Sequence, residues 1–308
     1  MRLFKNRGDI YIPKTGKSNS KEAKILFVFL FFIVIFTVVF VVLLNGRYKN
    51  AAEFFGEGEV SVTENSEFNE VNLPSVTGKT NFLILETDDE NEIIHYIFLL
   101  QADKDNFAYK AAALSPDMKL DKTSIKEVYE TGGGAALQTK LTEYLGIEID
   151  YYAEFENSSA VDFLGKLGTI IYPANSDIRF SGGSGTDKYT IHINEGEQKL
   201  SATEMTNLLR YFSNEKHNYS AECELVLRIM TGLFNQKNFE SSESLFRLFI
   251  KSCKSDITVR DYENGKNSIY VFCMKNTDIT VYTVQTKYDE NKVLTQKALK
   301  EIKGYYSK

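Results

Sequence analysis

Residues 81–114 read NFLILETDDENEIIHYIFLLQADKDNFAYKAAAL, and this stretch decides the architecture. It holds three apolar runs, at 82–85, 93–100 and 107–114. Thr87-Asp88-Asp89-Glu90-Asn91-Glu92 separates the first two, and Asp103-Lys104-Asp105-Asn106 the last two. Short apolar runs bounded by Asp- and Asn-rich turns are the pattern of strands. The second run is nearly continuous in apolar residues, as in a strand buried on both faces. The stretch therefore predicts a three-stranded meander.

Downstream, strands and helices alternate. Thr123 or Ser124 caps a short helix carrying Ile125, Val128 and Tyr129. After Gly132-Gly133-Gly134 a second helix starts near Ala135, with Leu137, Leu141, Tyr144 and Leu145 on one face and Gly146 at its C-terminal cap. A strand is expected over 147–155 and a helix from Ser158 or Ser159 to Gly168. Residues 169–172 read as a strand, 176–190 as a Ser/Gly-rich loop and 189–193 as a strand. Helices follow at 201–212, 220–235 and 241–252. Strands at 256–260 and 268–274 flank the turn Glu263-Asn264-Gly265, a third covers 278–286, and a Lys-rich helix covers 290–303. No internal repeat is present. The class is α/β (α+β), a mixed central sheet flanked by helices.

Upstream, residues 25–44 carry no charge, and Thr37 is the one residue there that is not Ile, Leu, Phe or Val. At about 1.5 Å per residue such a helix matches a hydrocarbon core of ~30 Å. A cleaved signal peptide would have a shorter apolar region followed by small residues, and Asn45-Gly46-Arg47-Tyr48 does not fit. Arg2, Lys5, Arg7, Lys14, Lys17, Lys21 and Lys24 precede the run, against Asp9 and Glu22. The positive side stays in the cytoplasm. The expected organisation is a basic cytoplasmic tail (1–24), a single transmembrane anchor (25–44), an extracellular stalk (45–78), a main domain (79–252) and a strand/helix extension (253–308).

The whole chain carries −6, and its tail is basic, so the external part is strongly acidic. That excludes nucleic acid as a partner, and anionic lipid explains the basic tail. Cys223, Cys253 and Cys273 form neither a disulfide framework nor a zinc pattern. A Cys253–Cys273 bridge and three free thiols both remain open. His95, His192 and His217 lack metal-ligand spacing and read as structural or solvated. Gly132–Gly134 precedes a helix and suits a phosphate cradle or a plain loop-to-helix junction.

A series of short motifs resembles the LytR–CpsA–Psr family of cell-envelope proteins. Asn81-Phe-Leu-Ile-Leu-Glu-Thr-Asp88 is similar to the family's opening strand and Asp-bearing turn. Ser115-Pro116-Asp117, Tyr129-Glu-Thr-Gly132-Gly133 and Leu145-Gly-Ile-Glu-Ile-Asp-Tyr-Tyr152 follow in order, the last being the most specific. Ile193-Asn194-Glu-Gly196-Glu-Gln198-Lys-Leu200 then leads to Leu208-Leu209-Arg210-Tyr211, similar to the family's arginine motif. The resemblance implies a membrane-anchored phosphotransferase that moves a glycopolymer from a polyprenyl-pyrophosphate carrier to peptidoglycan. It implies Asp88, Asp117 and Arg210 as the site, Asp88 as a metal ligand, and Mg²⁺ as cofactor if the protein is active; no other cofactor is called for.

The family's chemistry depends on arginines and paired acids that neutralise phosphate oxygens. Here Ile93-Ile94-His95 stands where the family has Arg-x-Asp, Pro116 precedes Asp117, and Phe212 replaces a second arginine. No arginine follows until Arg228. Each lost donor costs about 3–4 kcal/mol of transition-state stabilisation in comparable sites. The expectation is a degenerate member that binds a polyprenyl-linked glycan, peptidoglycan or an active relative without efficient catalysis. An active transferase with a rearranged site and a non-enzymatic structural anchor are the alternatives.

Overall fold

The computed structural model describes residues 73–90 and 92–308. The tail, the anchor at 25–44 and the stalk up to residue 72 lie outside the described residues. Among the described residues no helix is long and apolar enough to cross a membrane.

The meander forms as read. Strands β1 (Lys79–Thr87), β2 (Ile94–Asp103) and β3 (Ala108–Leu114) pair antiparallel in sequence order. A small hairpin, β4 (Lys119–Leu120) with β5 (Thr123–Ser124), leads into helix α1 (Ile125–Leu145). Then come β6 (Tyr151–Glu156), α2 (Asn157–Leu167), β7 (Ile170–Ala174), β8 (Ile178–Gly182), β9 (Tyr189–Ile193) and β10 (Gly196–Leu200). β7 pairs with β10 and β8 with β9. Helices α3 (Ala202–Arg210), α4 (Tyr219–Leu233), α5 (Gln236–Glu240) and α6 (Ser242–Ser252) follow. The chain closes with β11 (Cys253–Ser255), α7 (Val259–Met274), β12 (Thr280–Thr283) and α8 (Gln296–Tyr306). The central sheet has six strands in the order β11-β6-β1-β2-β3-β12. β6 runs parallel to β1 and β12 parallel to β3, so the sheet is mixed.

Strand periodicity sorts the core into two layers. Leu83, Leu85, Ile97, Leu99, Ala112 and Leu114 face α1 and α8, meeting Leu137, Leu141, Ile302 and Tyr306. Tyr96, Phe98, Leu100, Tyr109, Ala111 and Ala113 face α3, α4 and the small hairpins, meeting Leu208, Leu209, Leu225, Ile229 and Ile191. Each fully buried Leu contributes about 1.5–3 kcal/mol, so both faces are needed. Local signals agree with the packing. Ser124 and Glu127 form a capping box at the start of α1, and Gly146 ends it with φ 62°. The two helices expected over 125–145 are present as the two halves of α1, separated by non-helical backbone at Gly132 and Gly133.

Two expectations fail in physical detail. The hairpin predicted over 256–274 is instead helix α7, with Thr258 and Asp261 as its capping box and Asn264-Gly265 in its interior. Its buried residues, Tyr262, Val271, Phe272 and Cys273, pack inward, and Phe272 stacks on Phe107 at 4.8 Å. The loop predicted over 176–190 holds strand β8, paired along its length to β9. Among smaller shifts, β6 starts at Tyr151, β12 spans only Thr280–Thr283, and α8 starts at Gln296. All three cysteines are free.

A buried polar knot ties β1 to α8. The Asn81 amide donates to the carbonyls of Glu148 at 2.6 Å and Tyr306 at 2.9 Å, and accepts from Gln101 at 2.7 Å. Lys110 donates to Gln101 and Asp103, both at 2.8 Å, and to the Tyr305 carbonyl at 3.2 Å. The Tyr306 hydroxyl donates to the Leu99 carbonyl at 2.8 Å.

Candidate functional site

The residues of interest gather where β1 ends and β2 begins. Glu86 interrupts an apolar strand and is buried. Its carboxylate accepts from the Tyr96 hydroxyl and from the Asn157 amide at 2.7 Å, and it faces His95 Nδ1 at 3.0 Å. On the other side of the ring, His95 Nε2 lies 3.2 Å from the Asp187 carboxylate. Asp187 in turn accepts from Arg210 Nη2, at 2.7 Å on the carboxylate and 3.0 Å on the backbone oxygen. The guanidinium rests on the Tyr189 ring, 4.3 Å from its centroid. A continuous relay thus runs Arg210–Asp187–His95–Glu86–Tyr96. Burial and then the Glu86 charge hold the Tyr96 phenol well above its ordinary pKa.

The three residues singled out in the sequence do not converge. Asp88 closes the β1–β2 turn, where its Oδ1 accepts the amides of Glu92 at 2.8 Å and Ile93 at 3.0 Å. Asp117 sits on the surface, its carboxylate paired with Lys292 at 2.6 Å. Arg210 is buried, with Nη2 serving Asp187 and Nε lacking a hydrogen-bond partner. Both amides use Oδ1 of Asp88, and among the described residues no group of three or more His, Cys, Asp or Glu side chains is placed to hold a metal.

The glycine run also has an internal occupant. The Gly134 amide donates to Glu154 Oε2 at 2.9 Å, Tyr129 donates to Oε1 at 2.9 Å, and Lys254 pairs with Oε1 at 2.9 Å. Gly133 has φ 63°, and a Cβ on Gly134 would stand 2.8 Å from the Tyr152 ring. The loop is therefore an anion cradle whose anion is the protein's own Glu154. A concavity of about 270 Å³ opens beside it, lined by Tyr129, Gly132–Gly134, Tyr152, Glu154 and Lys254 among others.

Glu222 on α4 is fully buried, and neither carboxyl oxygen has a hydrogen-bond partner. Burial pushes its pKa well above the ordinary value, and Ser213 opposes this only in part. Its charge and that of Arg210 both reach Tyr96.

Sequence reasoning passes over Glu86, Asn157, Glu154, Asp187 and Glu222. The available signal was polarity inside apolar strands, since Glu86 and His95 stand on adjacent strands among Leu and Ile. Asp187 gives no such signal, because it lies in a short turn, Gly185–Asp187.

Comparison with known proteins completes the picture. A putative transcription regulator from Eubacterium siraeum superposes with a TM-score of 0.66 at 15% identity, over 79% of this chain and 97% of that one. TagV of B. subtilis superposes at 0.56 and 15% identity, over 75% of this chain and 96% of that one. TagT bound to LI-WTA superposes at 0.53 and 14% identity, over 74% and 89%. At such identities these likenesses speak for the fold alone. No curated protein matches the chain. The LytR_cpsA_psr family model matches residues 51–237, more than half of the sequence and all of the motifs from Asn81 to Tyr211. With the mixed sheet and the motif order, this match places the chain in the LytR–CpsA–Psr family.

Proposed function

We propose that this protein serves cell-envelope glycopolymer assembly as a membrane-anchored, extracellular member of its family that has lost efficient phosphoryl transfer and retains a binding or accessory role. The observation that carries the reading is the occupation of Arg210. Its guanidinium is buried against Asp187 and Tyr189, so its charge is neutralised before any phosphate arrives. Glu86 and Asp187 add negative charge where phosphate oxygens would need donors. The glycine cradle is filled by Glu154. Membership of the family, and a fold shared with TagT bound to LI-WTA, support a polyprenyl-linked glycan or an active relative as the partner. The run at 25–44 supports an anchor that holds the domain at the outer leaflet.

The test incubates the full-length chain in detergent with Mg²⁺ and a polyprenyl-pyrophosphate oligosaccharide, and follows released polyprenyl phosphate by mass spectrometry. The expected release equals that of a protein-free control. Turnover that disappears in Arg210→Ala would overturn the reading in favour of an active transferase with a rearranged site.

A further inference from the structure

A second concavity lies far along the chain from the relay, outside the family-matched segment. It measures about 600 Å³, within the ~300–1,000 Å³ range typical of small-ligand sites. Ala298, Tyr305 and three lysines, Lys287, Lys297 and Lys300, are among the residues that line it.

Two local geometries bring these residues together. The chain stays extended beyond β12, so Gln285 and Lys287 point the same way while Val284 and Thr286 are buried. On α8, Lys297, Lys300, Glu301, Gly304 and Tyr305 recur at helical spacing and share one face. The three lysines have no ion-pair partner among the described residues. Three lysines against the single Glu301 carboxylate leave the cleft with a positive balance that favours an anion.

The remaining lining narrows the ligand. Glu301 lines the same cleft, and its carboxylate disfavours a purely anionic guest and can accept from hydroxyl groups. Gln285 and Thr295 add polar partners, and Tyr305 offers an aromatic ring of the kind on which a sugar face packs. We propose that the cleft between α8 and the segment after β12 binds a saccharide carrying phosphate or carboxylate groups. This goes beyond the reading of the family site and stands whether or not that site turns over.

The experiment titrates full-length protein in detergent by calorimetry with trigalacturonate, maltotriose, inorganic phosphate and a triglutamate peptide. Trigalacturonate is expected to bind, more weakly as salt rises. The double variant K297Q/K300Q, checked by thermal melting to be folded, is expected to lower that affinity about tenfold. Lys303→Gln on the same helix, whose side chain reaches toward Gly146, is expected to leave it unchanged. Undiminished binding by K297Q/K300Q overturns the proposal, as does absence of trigalacturonate binding. Phosphate, triglutamate or maltotriose binding as tightly as trigalacturonate also overturns it, by showing a bare anion site, a peptide site or a charge-independent one.

Discussion

Arg210 donates to Asp187 twice, to its carboxylate at 2.7 Å and to its backbone oxygen at 3.0 Å. The pair joins the end of α3 to the turn before β9 and seals the β1–β2 end of the sheet. Breaking a buried pair by removing one partner leaves an uncompensated charge. Asp187→Ala is expected to cost about 3 kcal/mol, and Arg210→Leu a similar amount. The double variant should recover part of the loss. Urea denaturation of the three variants checks this, and additive losses would argue against the coupling.

Glu222 sets a pH dependence. Its folded-state pKa is raised from 4.5, so in the window above 4.5 the folded protein holds a proton that the unfolded chain has released. The unfolded state then binds fewer protons, and stability falls as pH rises through that window. Glu222→Gln removes the penalty. Its stability advantage over the wild type should be small at pH 4.5 and grow by up to about 1.4 kcal/mol per pH unit toward neutrality. Equilibrium denaturation at several pH values measures the slope, and a constant difference would refute it.

The self-filled cradle predicts a gain of binding. Removing the carboxylate in Glu154→Ala takes away the acceptor that the Gly134 amide and the Tyr129 hydroxyl share. The variant should be less stable than wild type in chloride. Added phosphate should raise its melting temperature by a few degrees more than the wild type's, roughly the effect of 1 kcal/mol of ligand stabilisation. Equal phosphate responses would mean the loop does not act as an anion cradle.

The thiols should be inert. Burial pushes Cys253 up to about 12 and Cys273 up to about 11, and Cys223 higher still. Alkylation proceeds through the thiolate. Iodoacetamide at pH 8 is expected to leave the native protein unmodified and to label all three cysteines in urea, which intact-mass measurement reads directly.

Tyr306 fills the layer beneath α8 and is fully buried. Tyr306→Phe should cost about 1 kcal/mol through the lost bond to Leu99. Tyr306→Ala should cost about 3–5 kcal/mol through the cavity it leaves. Denaturant midpoints rank the two, and an equal ranking would remove the packing argument.

Much of the fold is legible in residues 81–114, because β1 to β3 are sequence neighbours and their turns are rich in Asp and Asn. Helix α7 is not, because Asn264-Gly265 reads as a turn and 268–274 as an apolar strand. The Thr258-x-x-Asp261 capping box was the contrary signal. At the site, Asp88 and Arg210 can be pointed to by motif, but what they touch cannot. Asp187 meets His95 across 92 positions and Arg210 across 23, and no local pattern encodes those meetings. Glu154 likewise occupies the glycine loop from 20 positions away.

The knot between Asn81 and Tyr306 has a bearing on biogenesis. The two residues are 225 positions apart, so the first central strand is synthesised long before the helix that satisfies its buried amide. Contacts of such separation form slowly. Until α8 docks, β1 to β3 form a sheet whose buried Asn81 amide lacks one of its acceptors, so docking of that helix is expected to be a late step of folding. Removing the last turn of α8 would strip Asn81 and Lys110 of carbonyl acceptors at once, opening a polar seam along the sheet rather than merely shortening a helix.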